Sequence, residues 1–228
     1  MAINNKKVVS ITLSRGGSKG VPRKNLIDVC GKPLVGRMID TIKASRFVDQ
    51  VWISTDDNEI GNVSHAHGAQ VLSRPPELAT DSAKCEHALE HFSQIVDYDI
   101  MCFVQTTSPL LLTKDLDAAV EFLVANNYDS IFSTTEETWV PRWEIKGDTV
   151  EPFEWEPDSR PRRQQMPTLL IENGAFYITT REAFEKSKLR YSGRVGYYRM
   201  PLKRSFQIDT QEELDLIRNL IRSGAHLD

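Results

Sequence analysis

The sequence predicts an α/β protein built on a mostly parallel sheet, and three observations carry that reading. Short β-branched or apolar runs alternate with helical patterns through the first 135 residues, each helical stretch shows one apolar face, and glycine- or proline-bearing turns follow the ends of the runs. The strands expected are Val8 to Leu13, Val51 to Ser54, Ile100 to Gln105 and Ser130 to Ser133. Between them Leu34, Met38, Ile39 and Ile42 recur at helical spacing. Leu116, Ala119, Val120 and Leu123 do the same behind Thr113, a candidate cap. Leu169 to Ile178 and Val195 to Met200 read as later strands. Glu212 to Ile221 reads as a closing helix with Leu214, Ile217 and Ile221 on one face. In a doubly wound sheet, ligands gather outside the carboxyl ends of the strands.

The alternation breaks at residues 139–168. This stretch holds or adjoins Pro141, Pro152, Pro157, Pro161 and Pro167, five of the eleven prolines, and carries Trp139, Trp143 and Trp155. It reads as an irregular insertion rather than another βα unit. Aromatic side chains that a loop cannot bury within itself point to an interface.

At 228 residues with 40% hydrophobic residues, the chain can bury a core of its own, and it reads as a single domain over 1–228. A net charge of −4 argues against general nucleic-acid binding, so clustered cations are better read as a local device for a small anion. Cys30, Cys85 and Cys102 are odd in number and widely spaced, which suggests neither a disulfide framework nor a zinc site. The apolar run ahead of Arg15 is too short for a signal-peptide core or a membrane span, so the expected location is the cytoplasm.

Arg15-Gly16-Gly17-Ser18-Lys19-Gly20-Val21-Pro22-Arg23-Lys24-Asn25 follows the first strand directly. Glycines let backbone N–H groups approach phosphate oxygens, and Arg and Lys supply the charge that a polyphosphate needs. The segment lacks the Gly-Lys-Ser/Thr ending of a P-loop and the GxGxxG of a dinucleotide fold, so neither common phosphate-binding class fits.

Seven motifs then occur in order: RGGSKGVPRKN at 15–25, STDD at 54–57, RPPELATD at 74–81, QTTSP at 105–109, RRQ at 162–164, ENGAFY at 172–177 and SFQIDT at 205–210. Together they resemble the acylneuraminate cytidylyltransferases, which activate sialic acid and related keto-sugar acids as CMP-sugars. The resemblance implies a Rossmann-like nucleotidyltransferase fold that works as a homodimer, with 139–168 as the dimerisation insertion. It implies that CTP and a nine-carbon keto-sugar acid of the nonulosonic type give the CMP-sugar and pyrophosphate, with Mg²⁺ or Mn²⁺ as cofactor and no nucleic-acid or membrane partner.

Site roles follow from the same resemblance, residue by residue. Arg15, Gly16, Ser18, Lys19 and Lys24 match the triphosphate cradle and Asn25 a nucleotide contact, while Arg74 and the Leu13-Ser14 backbone would read cytosine. Arg15, Lys19, Lys24 and Arg163 are the expected catalytic cations. Around the base stand Ser82, Ala83 and Cys85, where relatives often carry hydroxyls. Gln105, Arg162, Arg163, Asn173 and Tyr177 match sugar-acid contacts, and a carboxylate beside an anomeric carbon suits the forked donors of Arg. Asp209 and Gln207 fall at the metal position. Many relatives have Asp at both places, two residues apart on one strand face. Here the first is an amide, and Asp209 has a competing reading as the cap of the closing helix. The histidines, His65, His67, His87, His91 and His226, fall in no motif and read as helix-surface or core residues. Two rival readings remain: legionaminate, pseudaminate or a deaminated sialic acid as the substrate, and a non-catalytic nucleotide-binding relative.

Overall fold

The computed structural model describes residues 3–227. Residues 1, 2 and 228, the ends of the single domain expected from the sequence, lie outside them. Nine strands and six α-helices follow one another as β1 (Val8–Leu13), α1 (Leu34–Lys43), β2 (Gln50–Thr55), α2 (Asn58–Ala66), β3 (Gln70–Ser73), α3 (Cys85–Ile95), β4 (Ile100–Val104), α4 (Thr113–Ala125), β5 (Ser130–Glu136), β6 (Arg142–Lys146), β7 (Thr149–Phe153), β8 (Leu170–Thr180), α5 (Arg181–Ser187), β9 (Val195–Arg199) and α6 (Gln211–Ser223) among the described residues. Seven of the strands form one sheet in the order β3-β2-β1-β4-β8-β5-β9. All run parallel except β8, which pairs antiparallel with β4 and β5. The carboxyl ends of β1, β2, β3 and β4 therefore share one edge of the molecule.

Strand periodicity sorts the core into two faces, because neighbouring residues point to opposite sides of a sheet. Val8, Cys102 and Ile178 pack with Ile39 and Ile42 of α1 and Leu116 and Val120 of α4. Val9, Phe103 and Tyr177 pack on the other face with Leu89 and Phe92 of α3 and Phe184 of α5. A third cluster joins Leu214 and Ile217 of α6 to Val21, Val29, Leu34, Leu110 and Ile208. It carries the closing helix to the strand-end edge, where the Gly-rich loop lies.

Helices α2, α3 and α5 were not named in the sequence reading, and three further points differ from it. β3 was not expected because it is an edge strand whose Gln70, Val71 and Ser73 are exposed, so no apolar pattern marks it. The 139–168 stretch is not wholly irregular: β6 and β7 pair in register from Arg142 with Phe153 to Lys146 with Thr149. Gly147, at φ 67°, and Asp148 make the two-residue turn, the pattern of a type II′ hairpin, which needs positive φ at its first central position alone. Thr113 is not the cap of α4. Leu112 takes the cap position and its N–H is received by the Asp115 carboxylate (3.2 Å), while the Thr113 hydroxyl donates to the Thr41 carbonyl (2.8 Å).

Asp115 also accepts two hydrogen bonds from Arg204, at 3.0 and 2.8 Å, in a buried ion pair that ties α4 to the segment before α6. The hairpin, by contrast, faces outward: Trp143, Ile145, Val150 and Phe153 are all exposed. Trp143 packs edge-on against Trp155 at 5.0 Å. Among the described residues no helix is long and apolar enough to cross a membrane.

Candidate active site

The Gly-rich loop leaves β1 at Leu13 and is pinned on both sides. Ser14 N–H donates to the Ser54 carbonyl (2.9 Å) at the end of β2, and Gly16 N–H donates to Asp56 (3.0 Å) just beyond it. Glycine is required at two points of close approach. A Cβ on Gly16 would stand 2.7 Å from an Asp57 oxygen, and one on Gly20 would stand 1.9 Å from the Asp209 carbonyl. Arg23, in a left-handed conformation at φ 53°, closes the loop by pairing with Asp57 and Glu59, each at 2.5 Å. The Asp57 carboxyl is held below its usual range by Arg23 and by the Ile60 N–H that it caps.

All three cations expected at a triphosphate are held by carboxylates of the chain. Arg15 and Lys19 both reach Asp81, at 2.7 and 2.9 Å, and Lys24 reaches Asp209 at 2.8 Å and the Ile208 carbonyl at 2.8 Å. Lys19 and Arg15 hold the Asp81 carboxyl below its usual range. Arg15, Lys19 and Lys24 line a cavity of about 280 Å³ together with Ser18, Asn25, Thr106 and Asp209. Asn25 is buried and fixed at both ends of its amide, receiving Thr106 Oγ–H (2.8 Å) and donating to the Arg15 carbonyl (2.9 Å).

A second cavity of about 280 Å³ shares Leu13 and Arg15 with the first and adds Arg74, Ala83 and Cys85. Arg74 is 5% exposed, donates from Nε to the Ser54 hydroxyl (3.0 Å) and from Nη2 to the Ser54 carbonyl, and has no ion-pair partner among the described residues. Burial pushes its pKa down. A guanidinium taken out of water without an ion pair is costly, and its remaining donors are available to a ligand. The Ser14 hydroxyl, fully buried beside this junction, has no hydrogen-bond partner among the described residues. Ser82 is exposed and does not line the cavity; its hydroxyl lies 3.4 Å from that of Thr80.

At the end of β4, Gln105 meets Asn173, Gly174 and Gln207. A Cβ on Gly174, whose φ is +67°, would stand 1.9 Å from Gln207 Nε2 and 3.2 Å from Gln105 Oε1. Glycine there lets the two amides converge. Gln207 donates to the Asn173 carbonyl (2.6 Å), and Asn173 donates to the Ser205 hydroxyl (2.9 Å). Tyr177 stacks on Phe103 at 5.8 Å and donates to Glu172 (2.8 Å). Its hydroxyl is pushed up to about 12, first by burial and then by Glu172, so it stays a donor near neutral pH.

Arg162 and Arg163 do not join this group within the chain. Both are exposed on the insertion, and Arg163 hydrogen-bonds to Thr138 (3.3 Å). The metal position is partly formed. Asp209 stands at the wall of the cation-lined cavity, and the helix cap belongs to its neighbour Thr210, which accepts from Glu213 N–H (3.2 Å). No cluster of three or more His, Cys, Asp or Glu side chains among the described residues could hold a metal ion. Mg²⁺ is commonly held by one or two carboxylates and substrate phosphates, and Asp209 beside a phosphate-sized cavity fits that donor set.

Asp56, Asp57 and Asp81 lay within motifs that the sequence reading quoted, yet their work as anchors and counter-charges emerges only in three dimensions. Glu172 likewise lay within a quoted motif, whereas Arg190, over the Tyr177 ring, and its partner Glu86 fall in none.

A glycine-dependent, cation-lined cradle at the end of the first strand of a doubly wound sheet, opening onto a second cavity with a buried arginine, defines a nucleotide-binding α/β protein. The chain belongs to the cytidylyltransferase family, whose model matches residues 9–226. It is 38% identical over 213 residues to N-acylneuraminate cytidylyltransferase A of Danio rerio, covering 91% of this chain and 49% of that protein. The chain spans about half the length of the fish relatives it matches. With the pseudaminic acid cytidylyltransferase of Campylobacter jejuni it is 30% identical over 225 residues, 95% of this chain and 97% of the relative. Among solved structures, a CMP:2-keto-3-deoxy-manno-octonic acid synthetase complexed with CTP superposes with a TM-score of 0.72 at 18% identity, over 96% of this chain and 99% of the other. That likeness establishes the shared fold.

Proposed function

We propose that this protein transfers CMP from CTP to the anomeric hydroxyl of a nonulosonic acid and releases pyrophosphate. The observation that carries the reading is the pair of adjoining cavities at the end of β1, one lined by Arg15, Lys19 and Lys24 and the other by Arg74. The triphosphate displaces Asp81 from Arg15 and Lys19 and takes up their charge. Cytosine offers O2 and N3 as acceptors to Arg74, whereas uracil presents a donor at N3.

Gln105, Asn173 and Gln207 face one another where the sugar acid would lie. Its anomeric oxygen attacks the α-phosphorus in line; the P–O bond to the β-phosphate breaks and the hydroxyl proton leaves to solvent. Positioning and charge neutralisation supply most of the acceleration. Arg15, Lys19 and Lys24 hold the leaving pyrophosphate. Asp209 would hold a Mg²⁺ together with the nucleotide's phosphates, and that ion would supply further charge neutralisation.

Sialic acid is the first reading of the substrate, after the fish relatives. Pseudaminate is the second, favoured because that relative is matched over nearly its whole length. A homodimer belongs to the proposal. The exposed apolar face of the β6–β7 hairpin calls for a cover, and Arg162 and Arg163, which line neither of their own chain's two cavities, lie on the same insertion. So does a cytoplasmic location, consistent with three free cysteines. Pyrophosphate release measured over a panel of acids and nucleotides tests the reading. Release requiring CTP, Mg²⁺ and one keto-sugar acid supports it, and equal release from UTP refutes it.

A further inference from the structure

Between α3 and the loop after α5 lies a cation that no motif singles out. Arg190 donates from Nε to Glu86 (2.7 Å), and both side chains are about four-fifths buried, with exposures of 19% and 21%. Its guanidinium lies 5.0 Å from the Tyr177 ring and 5.6 Å from the Phe103 ring, over a pair stacked at an interplanar angle of 21°. Glu86 follows Cys85, which lines the Arg74 cavity. Arg190 thus lies over Tyr177, the ring expected to meet the sugar acid, on the side of the sheet that carries α3.

An arginine has donors on every nitrogen and no acceptor. Glu86 fixes the plane through Nε, which leaves the Nη edge for a ligand. A tie between α3 and the loop would account for the ion pair alone, without placing the guanidinium on the ring expected to meet the sugar. A methyl group pressed against this partly dehydrated cation would remove water and return no hydrogen bond, whereas an oxygen would accept a charge-assisted one.

We propose that Arg190 is a specificity-determining residue of the sugar-acid site, selecting an acid whose substituent near Tyr177 ends in oxygen, such as a hydroxyl or hydroxylated acyl group, over one ending in a methyl. The proposal rests on the sugar-acid reading above.

Its test compares wild type, Arg190→Leu, Arg190→Lys and Glu86→Gln on nonulosonic acids in which each substituent in turn is hydroxyl-tipped or methyl-tipped. KM is read separately for acid and for CTP. Wild type should prefer the oxygen tip at one substituent by about tenfold, the range one polar contact discriminates. Arg190→Leu should lose or reverse that preference with the CTP KM unchanged, while Arg190→Lys keeps part of it. Should Arg190→Leu fail to fold, Glu86→Gln, which frees the guanidinium, should weaken the same preference. The proposal is overturned if wild type shows no oxygen preference at any substituent, if the variants retain the wild-type profile, or if acid and CTP KM rise together, as a merely structural tie would produce. A wild-type protein that turns over no acid overturns the functional reading and this proposal with it; the other adverse outcomes overturn this proposal alone.

Discussion

In the proposed reaction, base selection turns on Arg74. It is buried with Ser54 as its hydrogen-bond partner and without an ion pair among the described residues, so a ligand that satisfies its free donors gains more than it would from an exposed arginine. Arg74→Leu is expected to cut the preference for CTP over UTP by about 1–3 kcal/mol in kcat/KM, the cost of leaving one buried polar contact unmade. Competition assays with both nucleotides measure it, and an unchanged ratio would assign base reading elsewhere.

Asp209 and Gln207 part company at the same scale. Asp209 faces Lys24 at the phosphate cavity, whereas Gln207 donates its amide to the Asn173 carbonyl beside Gln105. Asp209→Asn should therefore raise the Mg²⁺ concentration needed for half-maximal rate. Gln207→Ala should leave that concentration alone and raise KM for the acid. If Asp209→Asn altered only the melting temperature, the metal role would be excluded.

Among the elements, the β6–β7 hairpin and α4 make opposite demands on their surroundings. The hairpin presents Trp143, Ile145 and Val150 to solvent, and a specific interface covering them should bury more than about 1,000 Å². Light scattering should report a dimer for the wild type and a shift to monomer for Ile145→Asp; a monomeric, fully active wild type would refute the interface. Helix α4 instead depends on the buried Asp115–Arg204 pair. Removing one partner strands a charge, so Arg204→Leu is expected to lower unfolding stability by about 3–5 kcal/mol. A denaturant titration checks it, and a loss near zero would show that solvent reaches Asp115.

Some elements were legible in the sequence through apolar periodicity with a buried face to serve, although α3, which buries Leu89 and Phe92, was not named. β1, β4 and α1 announce themselves through Val8, Ile100 and Ile39, all fully buried. The exposed edge strand β3 and the solvent-facing hairpin bury too little to leave a pattern. At the site, the glycine loop was legible because close approach at Gly16 and Gly20 excludes any side chain. Of the cluster around Tyr177 only Tyr177 itself was legible; Arg190 and Glu86 lie on a loop and on α3, and only folding brings them to it.

For the whole molecule, the sheet order sets the chemistry by gathering the ends of β1, β2 and β4 along one edge, with α6 packed so that Asp209 meets Lys24. The two cavities, the amide cluster and Asp209 thus become neighbours although their residues span positions 13 to 209. The most direct test of this account is phosphorus NMR of the protein with CTP, Mg²⁺ and a nonulosonic acid. The account predicts that the CTP resonances give way to pyrophosphate and a single phosphodiester, and only when the acid is present. CDP and inorganic phosphate as the products, or consumption of CTP that ignores the acid, would contradict it.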